Sequence, residues 1–127
     1  MKVYIPYDKE FNYTACEQLY KKYEKEIGDI EDFDKIIKNT MFYSFFTDDN
    51  KFVGCLYFYK DSSNRLFVNG FSNRKMHQYN IQALKLAFEW FDCDIYAQTP
   101  HKNAVYCLLR AGFKKCDDKL YVKLKGE

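Results

Sequence analysis

The feature that most restricts the fold of this chain is a change of hydrophobic period between residues 66 and 98. Residues 66–71 and 94–98 are apolar runs of strand length, and residues 78–91 between them carry apolar side chains at helical spacing. That helical stripe consists of Ile81, Leu84, Ala87, Phe88 and Phe91. A strand, a helix and a second strand in this order form a right-handed crossover, which makes the two strands parallel. The pattern therefore predicts a parallel pair inside an α/β domain.

The rest of the chain places further strands and helices around this unit. Polar clusters at residues 48–50 and 61–64 separate three consecutive strands, and helical spacing recurs before and after them. The additional strands are predicted at residues 3–6, 41–47, 52–59, 113–115 and 119–124, and additional helices at residues 14–27, around Phe33, and at residues 102–111. The predicted order is β-α-α-β-β-β-α-β-α-β-β. It indicates one α/β (α+β) domain over residues 1–127, with a mixed, mostly antiparallel sheet of six to seven strands and about four helices.

Polar residues and glycines indicate where the first two helices begin and end. Thr14 and Glu17 have the spacing of a capping box, in which two side chains satisfy the first free amides of a helix. Gly28 follows the last apolar residue of the first helix. Asp29 is suited to cap the second helix.

The last helix is predicted to contribute to the core through Val105, Leu108 and Leu109, and to end at Gly112. Phe113 then begins the next strand inside the core. We expect five side chains to be buried together: Phe88, Phe91, Val105, Leu109 and Phe113.

Aromatic residues are abundant, with 12 Phe, 12 Tyr and one Trp. The simplest interpretation is a core built from rings, because each ring buries a large apolar area. A surface that stacks the bases of single-stranded nucleic acid is the alternative. Such a surface needs a positive groove as well, and a formal net charge of +2 supplies little. Nucleic acid is therefore an unlikely partner.

Five cysteines are scattered through the chain without a C-x-x-C pair, and only two histidines accompany them. This spacing argues against a structural zinc site, so no metal site is predicted. Free thiols within apolar runs are typical of a reducing compartment. The first residues lack the apolar stretch of a signal peptide, and no window reaches membrane-spanning length. A cytoplasmic protein with no membrane partner is expected.

The segment from His101 to Phe113 carries the most specific motif. It reads HKNAVYCLLRAGF, and together with the element order it resembles the GNAT acyltransferase superfamily, whose helix and following strand commonly read N-x-x-A-x-x-L-Y-x-x-x-G-F. Ala104, Gly112 and Phe113 are in register with that pattern. Individual residues resemble the superfamily motifs only over residues 66–115. These motifs are degenerate, as they are in small bacteriophage members of the superfamily. The resemblance implies a GNAT-like fold with acetyl-CoA as cosubstrate.

The phosphate motif of that superfamily, Q/R-x-x-G-x-G/A, corresponds here to residues 72–80. In the superfamily, amides at a helix N-terminus bind the coenzyme pyrophosphate, because unpaired N–H groups and the helix dipole both favour an anion. Counting from Arg74, the glycine positions hold His77 and Tyr79. Counting from Lys75, they hold Gln78 and Asn80. The resemblance implies an altered anion site formed by Asn73, Arg74, Lys75, Met76, His77, Gln78, Tyr79 and Asn80; the alternative is an ordinary solvated loop.

The resemblance also implies a site for the rest of the coenzyme. Its pantetheine arm would pair with the backbone of Asn69, Gly70 and Phe71, and Asn103 near the start of the last helix joins the cofactor-binding set. The first three residues lie on the first strand of the predicted parallel pair, and Asn103 lies on the helix that follows the second.

Catalytic residues are not assigned. The position of the frequent catalytic tyrosine is Leu108, and Tyr106 lies about 160° away around the helix. His101 is either a base or a residue that opens the helix. No carboxylate stands out on the central strands, where Asn69 occupies the relevant position.

Two functions follow from these observations. The first is an acyl-CoA-dependent N-acyltransferase that moves an acetyl group to an unidentified amine. The second is a GNAT-like domain without acyl transfer that acts as a binding or scaffold module, which the missing glycines and the missing tyrosine favour. The sequence does not specify the acceptor or the oligomeric state.

Overall fold

Seven strands and four α-helices make up the computed structural model, which describes residues 1–27 and 31–127. The strands are β1 (Lys2–Tyr4), β2 (Met41–Phe46), β3 (Phe52–Lys60), β4 (Leu66–Ser72), β5 (Ile95–Gln98), β6 (Lys114–Asp117) and β7 (Leu120–Lys123). The helices are α1 (Tyr13–Ile27), α2 (Phe33–Asn39), α3 (Asn80–Phe88) and α4 (Lys102–Arg110), with a 3₁₀ helix at Arg74–Tyr79. The strands form one sheet in the order β1-β2-β3-β4-β5-β7-β6.

The predicted parallel pair is confirmed. Leu66 of β4 lies opposite Ile95 of β5, and Phe67 lies opposite Tyr96, while every other neighbouring pair in the sheet is antiparallel. The helix α3 connects the two parallel strands, as the strand–helix–strand pattern requires.

One face of the sheet is covered by α3 and α4. Ala83, Leu84 and Ala87 of α3 are buried with Leu108 of α4 in a single apolar cluster. The strands contribute most of its remaining members, among them Phe45, Val53, Phe58, Val68, Ile95 and Ala97. We call this the α3–α4 cluster.

The opposite face is covered by α1 and α2, and its core is largely aromatic. The buried members of this α1–α2 cluster are Cys16, Tyr20, Phe33, Ile36, Phe42, Cys55, Tyr57 and Phe71. The ring of Phe42 stacks on Tyr57 at 5.9 Å and meets Phe33 edge-on at 5.7 Å. Such pairs add stabilisation beyond the area they bury. The abundant rings of the sequence therefore form core, as the simplest interpretation held.

The five cysteines are free thiols, and two of them are fully buried. Burial, together with a hydrogen bond to Cys16, raises the pKa of the Cys55 thiol well above its ordinary value. Within residues 1–27 and 31–127, no helix is both long and apolar enough to cross a membrane. The same residues contain no group of three side chains suited to hold a metal ion.

The first helix begins earlier than its predicted capping box. Asn12 caps α1, because its Oδ1 accepts the Ala15 N–H at 3.0 Å and its carbonyl accepts the Cys16 N–H. Thr14 lies inside the helix instead. Asn12 is the cap because it directly precedes the helix, where its side-chain oxygen and its carbonyl oxygen each reach one of the first free amides.

The predicted helix end at Gly28 and the predicted cap at Asp29 lie outside the described residues. The residue that precedes α2 is Asp32, whose side chain makes no capping hydrogen bond.

The helix between the parallel strands is shorter than predicted at both ends. Residues 78–79 belong to the 3₁₀ helix, and α3 ends at Phe88 rather than at Phe91. After Phe88 the chain makes i to i−3 bonds, with the Trp90 N–H donating to the Ala87 carbonyl at 3.0 Å. Helix termini commonly tighten in this way, and a hydrophobic stripe does not distinguish the two helix types.

The last helix has Leu108 in the core but Leu109 outside it. Leu108 is 7% exposed, whereas Leu109 is 50% exposed, so the expectation that Leu109 faces the core is wrong. Phe113 is 2% exposed, and Phe88, Phe91 and Val105 pack as partly buried side chains against the same cluster. Gly112 ends the helix as predicted, with a φ of +106° that favours glycine.

Truncating Phe113 tests this packing. Phe113→Ala should lower the free energy of unfolding by about 3–5 kcal/mol, because the substitution removes a buried ring and leaves a cavity. The ring centroids of Phe113 and Phe88 are 5.3 Å apart. Leu109→Ala is the matched control, and its effect should stay within about 0.5 kcal/mol, as for other surface sites. Urea unfolding monitored by circular dichroism measures both. Equal losses for the two variants would contradict the assignment of the α4 faces.

Candidate functional site

The strands β4 and β5 separate at the edge of the sheet where both end. β4 stays paired with β3 as far as Ser72, and β5 stays paired with β7 as far as Gln98. They pair with each other only at residues 66–67 and 95–96. A crevice therefore opens between residues 68–72 and residues 97–98, and we call it the strand crevice. In open α/β sheets, ligands bind at such openings beyond the carboxyl ends of the strands.

The backbone of β4 offers a hydrogen-bond donor at this crevice. The Gly70 N–H donates to Oδ1 of the adjacent Asn69 at 2.8 Å. The close approach of β3 explains the glycine, because a Cβ at this position would lie 2.6 Å from the carbonyl oxygen of Cys55. Asn69 and Gly70 are both half-buried. A side-chain acceptor can be exchanged for an acceptor on a ligand, so this N–H is a candidate donor to a bound molecule.

The segment after β4 begins a helix at once, in 3₁₀ form. Asn73 caps it, since its Oδ1 accepts the Lys75 N–H at 3.2 Å and its carbonyl accepts the Met76 N–H at 2.8 Å. The Asn73 carboxamide also donates to the Phe52 carbonyl on β3 at 3.4 Å. The helix opening thus lies at residues 74–76, four residues before the predicted start.

The amide of Asn80 is already used within the helix. Its N–H donates to the His77 carbonyl, and its side chain donates to the Ser72 hydroxyl at 3.0 Å. An anion at the predicted Asn80 amide would have to compete with these bonds. The accessible positive groups lie earlier in the segment.

Cationic side chains stand at the start of this helix. Arg74 and Lys75 are exposed, and residues 69–80 contain no acidic residue. The Arg74 guanidinium lies 5.0 Å from the ring centroid of Tyr23 on α1, which holds it beside the crevice through a cation–π contact. His77 is exposed, with Nδ1 at 2.9 Å from the Arg74 carbonyl. The chemistry of this edge suits an anionic group.

The second helix opening beside the crevice is the start of α4. His101 precedes the first residue of α4 and makes no side-chain cap, while its N–H donates to the Thr99 hydroxyl at 3.1 Å. Asn103 is exposed on the first turn. The two helix openings therefore follow the two separated strand ends.

Residues 106 and 108 of α4 are the two positions considered for a catalytic tyrosine, and neither places a tyrosine hydroxyl inside the fold. Leu108, at the superfamily's tyrosine position, is buried in the α3–α4 cluster. Tyr106 is 58% exposed, and its hydroxyl accepts a hydrogen bond from Arg110 at 3.4 Å. Tyr106 therefore lies on the surface, away from the buried Leu108.

The predicted binding residues on β4 and after it lie next to one another along the crevice edge. Phe71 contributes only its backbone, because its ring is buried in the α1–α2 cluster. Met76 and Tyr79 pack against the α3–α4 cluster. The sequence analysis missed Tyr23, which lies on α1 more than forty positions away and carries no local signal of its contact with Arg74.

Three solved structures share this architecture. An acetyltransferase from Bacillus subtilis in complex with CoA superposes with a TM-score of 0.61 at 13% identity, covering 91% of this chain and 78% of that one. A GNAT-family acetyltransferase from Staphylococcus aureus Mu50 superposes with a TM-score of 0.54 at 16% identity. This match covers 97% of this chain and 99% of that one. The F149A mutant of spermidine N-acetyltransferase SpeG from Vibrio cholerae gives 0.50 at 15% identity, covering 95% and 82%. The chain has the GNAT fold.

The sequence itself matches no known family and no curated protein. Within this GNAT fold, the segment between β4 and α3 has neither glycine of the phosphate motif and replaces it with a capped 3₁₀ turn. The GNAT fold is therefore retained while the anion-binding segment differs from the superfamily pattern.

The cap residue Asn73 offers a test of this segment. Asn73→Ala should lower the free energy of unfolding by about 1 kcal/mol, because the Lys75 amide loses its acceptor. Asn73→Ser retains an acceptor oxygen for the Lys75 N–H without placing a charge beside the Phe52 carbonyl, and it should lose less. Thermal unfolding of the two variants compares them directly. Equal stability of Asn73→Ala and the unaltered chain would contradict the capping role.

Proposed function

We propose that this chain is an acyl-CoA-dependent N-acyltransferase that moves an acetyl group from acetyl-CoA to an amine. The observation that carries the proposal is the strand crevice, where β4 and β5 separate with a helix opening after each. The similar structures support it, since all three are acetyltransferases and one of them is a complex with CoA.

The residues present fit a coenzyme A thioester. The pantetheine arm is an amide chain, and the Gly70 N–H is a donor for it once the Asn69 side chain turns away. The phosphates are anions, and Arg74 and Lys75 are exposed cations in a segment without acidic residues. Asn103 is available to the coenzyme from the other side of the crevice.

Acetyl-CoA supplies an activated carbonyl carbon. The acceptor's neutral amine attacks that carbon, the new C–N bond forms, the C–S bond breaks, and the sulfur leaves as the thiolate. A backbone N–H of β4 stabilises the negative charge that develops on the carbonyl oxygen, because it is fixed in the sheet before the reaction. No acidic residue occurs in residues 69–80 or 97–103, so the amine proton passes to a histidine of these segments, His77 or His101, or to solvent through the open crevice.

A second candidate function is binding of a coenzyme A thioester without transfer. Two observations favour it: Leu108 is buried where the superfamily often has a catalytic tyrosine, and Asn69 stands on β4 where a carboxylate base is common. Under this alternative the crevice holds the same ligand, and the chain acts as a binding or scaffold module.

Binding and turnover separate the two. Isothermal titration with acetyl-CoA, next to an assay for released CoA thiol over a panel of primary amines and polyamines, gives both readouts. Binding with thiol release supports the enzyme, and binding without release on any amine supports the module. If acetyl-CoA does not bind at millimolar concentration, both proposals fail.

The cations at the start of the 3₁₀ helix should contribute to that affinity. Arg74→Ala combined with Lys75→Ala should weaken acetyl-CoA binding by about tenfold at low salt, since two exposed ionic contacts are lost. The difference should shrink as salt is raised, because salt screens exposed charges. Lys85→Ala, an exposed lysine on α3, is the control and should bind as the unaltered chain does. Equal affinity of all three proteins would contradict a phosphate site here.

The Asn69 side chain should compete with the ligand for the Gly70 amide. Asn69→Ala removes that internal acceptor and should tighten acetyl-CoA binding by about two- to tenfold, the equivalent of one net hydrogen bond. Asn69→Asp keeps an acceptor at the same distance and should bind no tighter than the unaltered chain. Titration calorimetry of the three proteins measures this. Weaker binding by Asn69→Ala would show instead that the carboxamide contacts the ligand.

A further inference from the structure

A second concave surface lies on the outer side of α4, and it adjoins the strand crevice only at residues 99–102. It is a groove of about 430 Å³ between α4 and the hairpin formed by β6 and β7. Val105, Tyr106 and Leu109 line it from the helix, and Tyr121 lines it from β7. The groove is shallow and open to solvent. We call it the hairpin groove.

The floor of the hairpin groove exposes more apolar side-chain surface than is usual for a solvated helix face. Leu109 is 50% exposed and Tyr106 is 58% exposed, side by side with the half-buried Val105. Arg110 holds the Tyr106 ring in place, with its guanidinium 5.7 Å from the ring centroid and a hydrogen bond to the hydroxyl. An exposed leucine beside a fixed tyrosine offers a contact for a large apolar side chain.

The rim of the groove is positive. Lys102 from α4, Lys115 from β6 and Lys119 from the β6–β7 turn line it, against the single carboxylate of Asp118. The surrounding region has the same sign: residues 102–127 contain seven basic and three acidic residues, a net charge of +4. The chain as a whole carries +2, so residues 1–101 carry −2. The positive charge is therefore concentrated in the C-terminal part of the chain, and three of its lysines line this groove.

We propose that the hairpin groove binds an acidic peptide segment of a partner protein. A large apolar side chain of that segment lies over Leu109 and Tyr106, and its flanking carboxylates pair with Lys102, Lys115 and Lys119. Charge complementarity of this kind selects an acidic partner and speeds its association. The groove is short and its rim contains a carboxylate, whereas binding of single-stranded nucleic acid uses a continuous positive track with several stacking rings. The observations therefore favour a peptide.

Fluorescence anisotropy with a labelled synthetic peptide tests the proposal. The probe is a short peptide of Glu and Asp residues with Leu-Phe at its centre. One comparison peptide replaces the acids by Gln and Asn, and a second replaces Leu-Phe by Ser-Ser. The acidic, apolar peptide should bind with an affinity that falls as salt is raised, and both comparison peptides should bind at least about tenfold more weakly.

Variants of the groove give the second readout. Lys102→Glu combined with Lys119→Glu should weaken peptide binding by about tenfold or more, because two attractive charges become repulsive. Leu109→Gln should weaken it through the floor without changing any charge. The control is Lys60→Glu with Lys85→Glu, two exposed lysines away from the groove, and it should bind within about twofold of the unaltered chain. Thermal unfolding confirms that all variants are folded.

Several outcomes would overturn the proposal. They are absence of peptide binding at millimolar concentration, equal binding of the neutral peptide, and equal weakening by the control variant. Tighter binding of a single-stranded DNA oligonucleotide than of the acidic peptide, lost in the Lys102→Glu/Lys119→Glu protein, would assign the groove to nucleic acid. Because the peptide assay contains no acetyl-CoA, its result is independent of the acyltransferase proposal.

Discussion

The short parallel pairing of β4 and β5 is the constraint on which the rest of the structure depends. The two strands share only two pairs of opposed residues. Beyond these, each strand stays paired with its other neighbour: β4 with β3 as far as Ser72, and β5 with β7 as far as Gln98. Beyond residue 67, the backbone groups on the side of β4 away from β3 therefore face an opening instead of a strand. At this opening the Gly70 N–H donates a hydrogen bond to the side chain of Asn69. A polar backbone edge inside an otherwise paired sheet is the property that a ligand with amide groups can use.

Packing on the two faces holds the strands in this divergent arrangement. On one face, Phe71 near the end of β4 is locked among Tyr20, Phe33 and Phe42 in edge-to-face and tilted ring contacts. On the other face, Ala97 near the end of β5 is buried with residues of α3 and α4. Both strand ends are thus fixed by side chains that point away from the crevice, which leaves its backbone rim rigid. The aromatic richness of the chain serves the α1–α2 side of this arrangement.

The element order and the parallel pair could be predicted because both follow from local hydrophobic period. The details that shape the site could not, because they depend on contacts distant in sequence or on choices between near-equal local options. The 3₁₀ turn at Arg74–Tyr79 rests partly on Asn73 bonding to Phe52 of β3, and Arg74 is positioned by Tyr23 of α1. The exposure of Leu109 depends on where the β6–β7 hairpin lies, which the stripe on α4 does not reveal. The binding roles of Asn69 to Asn80 and of Asn103 stay predictions.

The account predicts one ligand in the strand crevice and a different one in the hairpin groove, and amide chemical shifts can locate the first. In a two-dimensional NMR titration of the isotopically labelled chain with acetyl-CoA, the largest shifts should fall at Gly70, at residues 71–80, at residues 97–98, and at His101 and Asn103. The amides of Leu109 and Tyr121 in the hairpin groove should remain unchanged. Shifts confined to the hairpin groove, or no shifts at millimolar acetyl-CoA, would contradict the central claim that the divergence of β4 and β5 creates a coenzyme site.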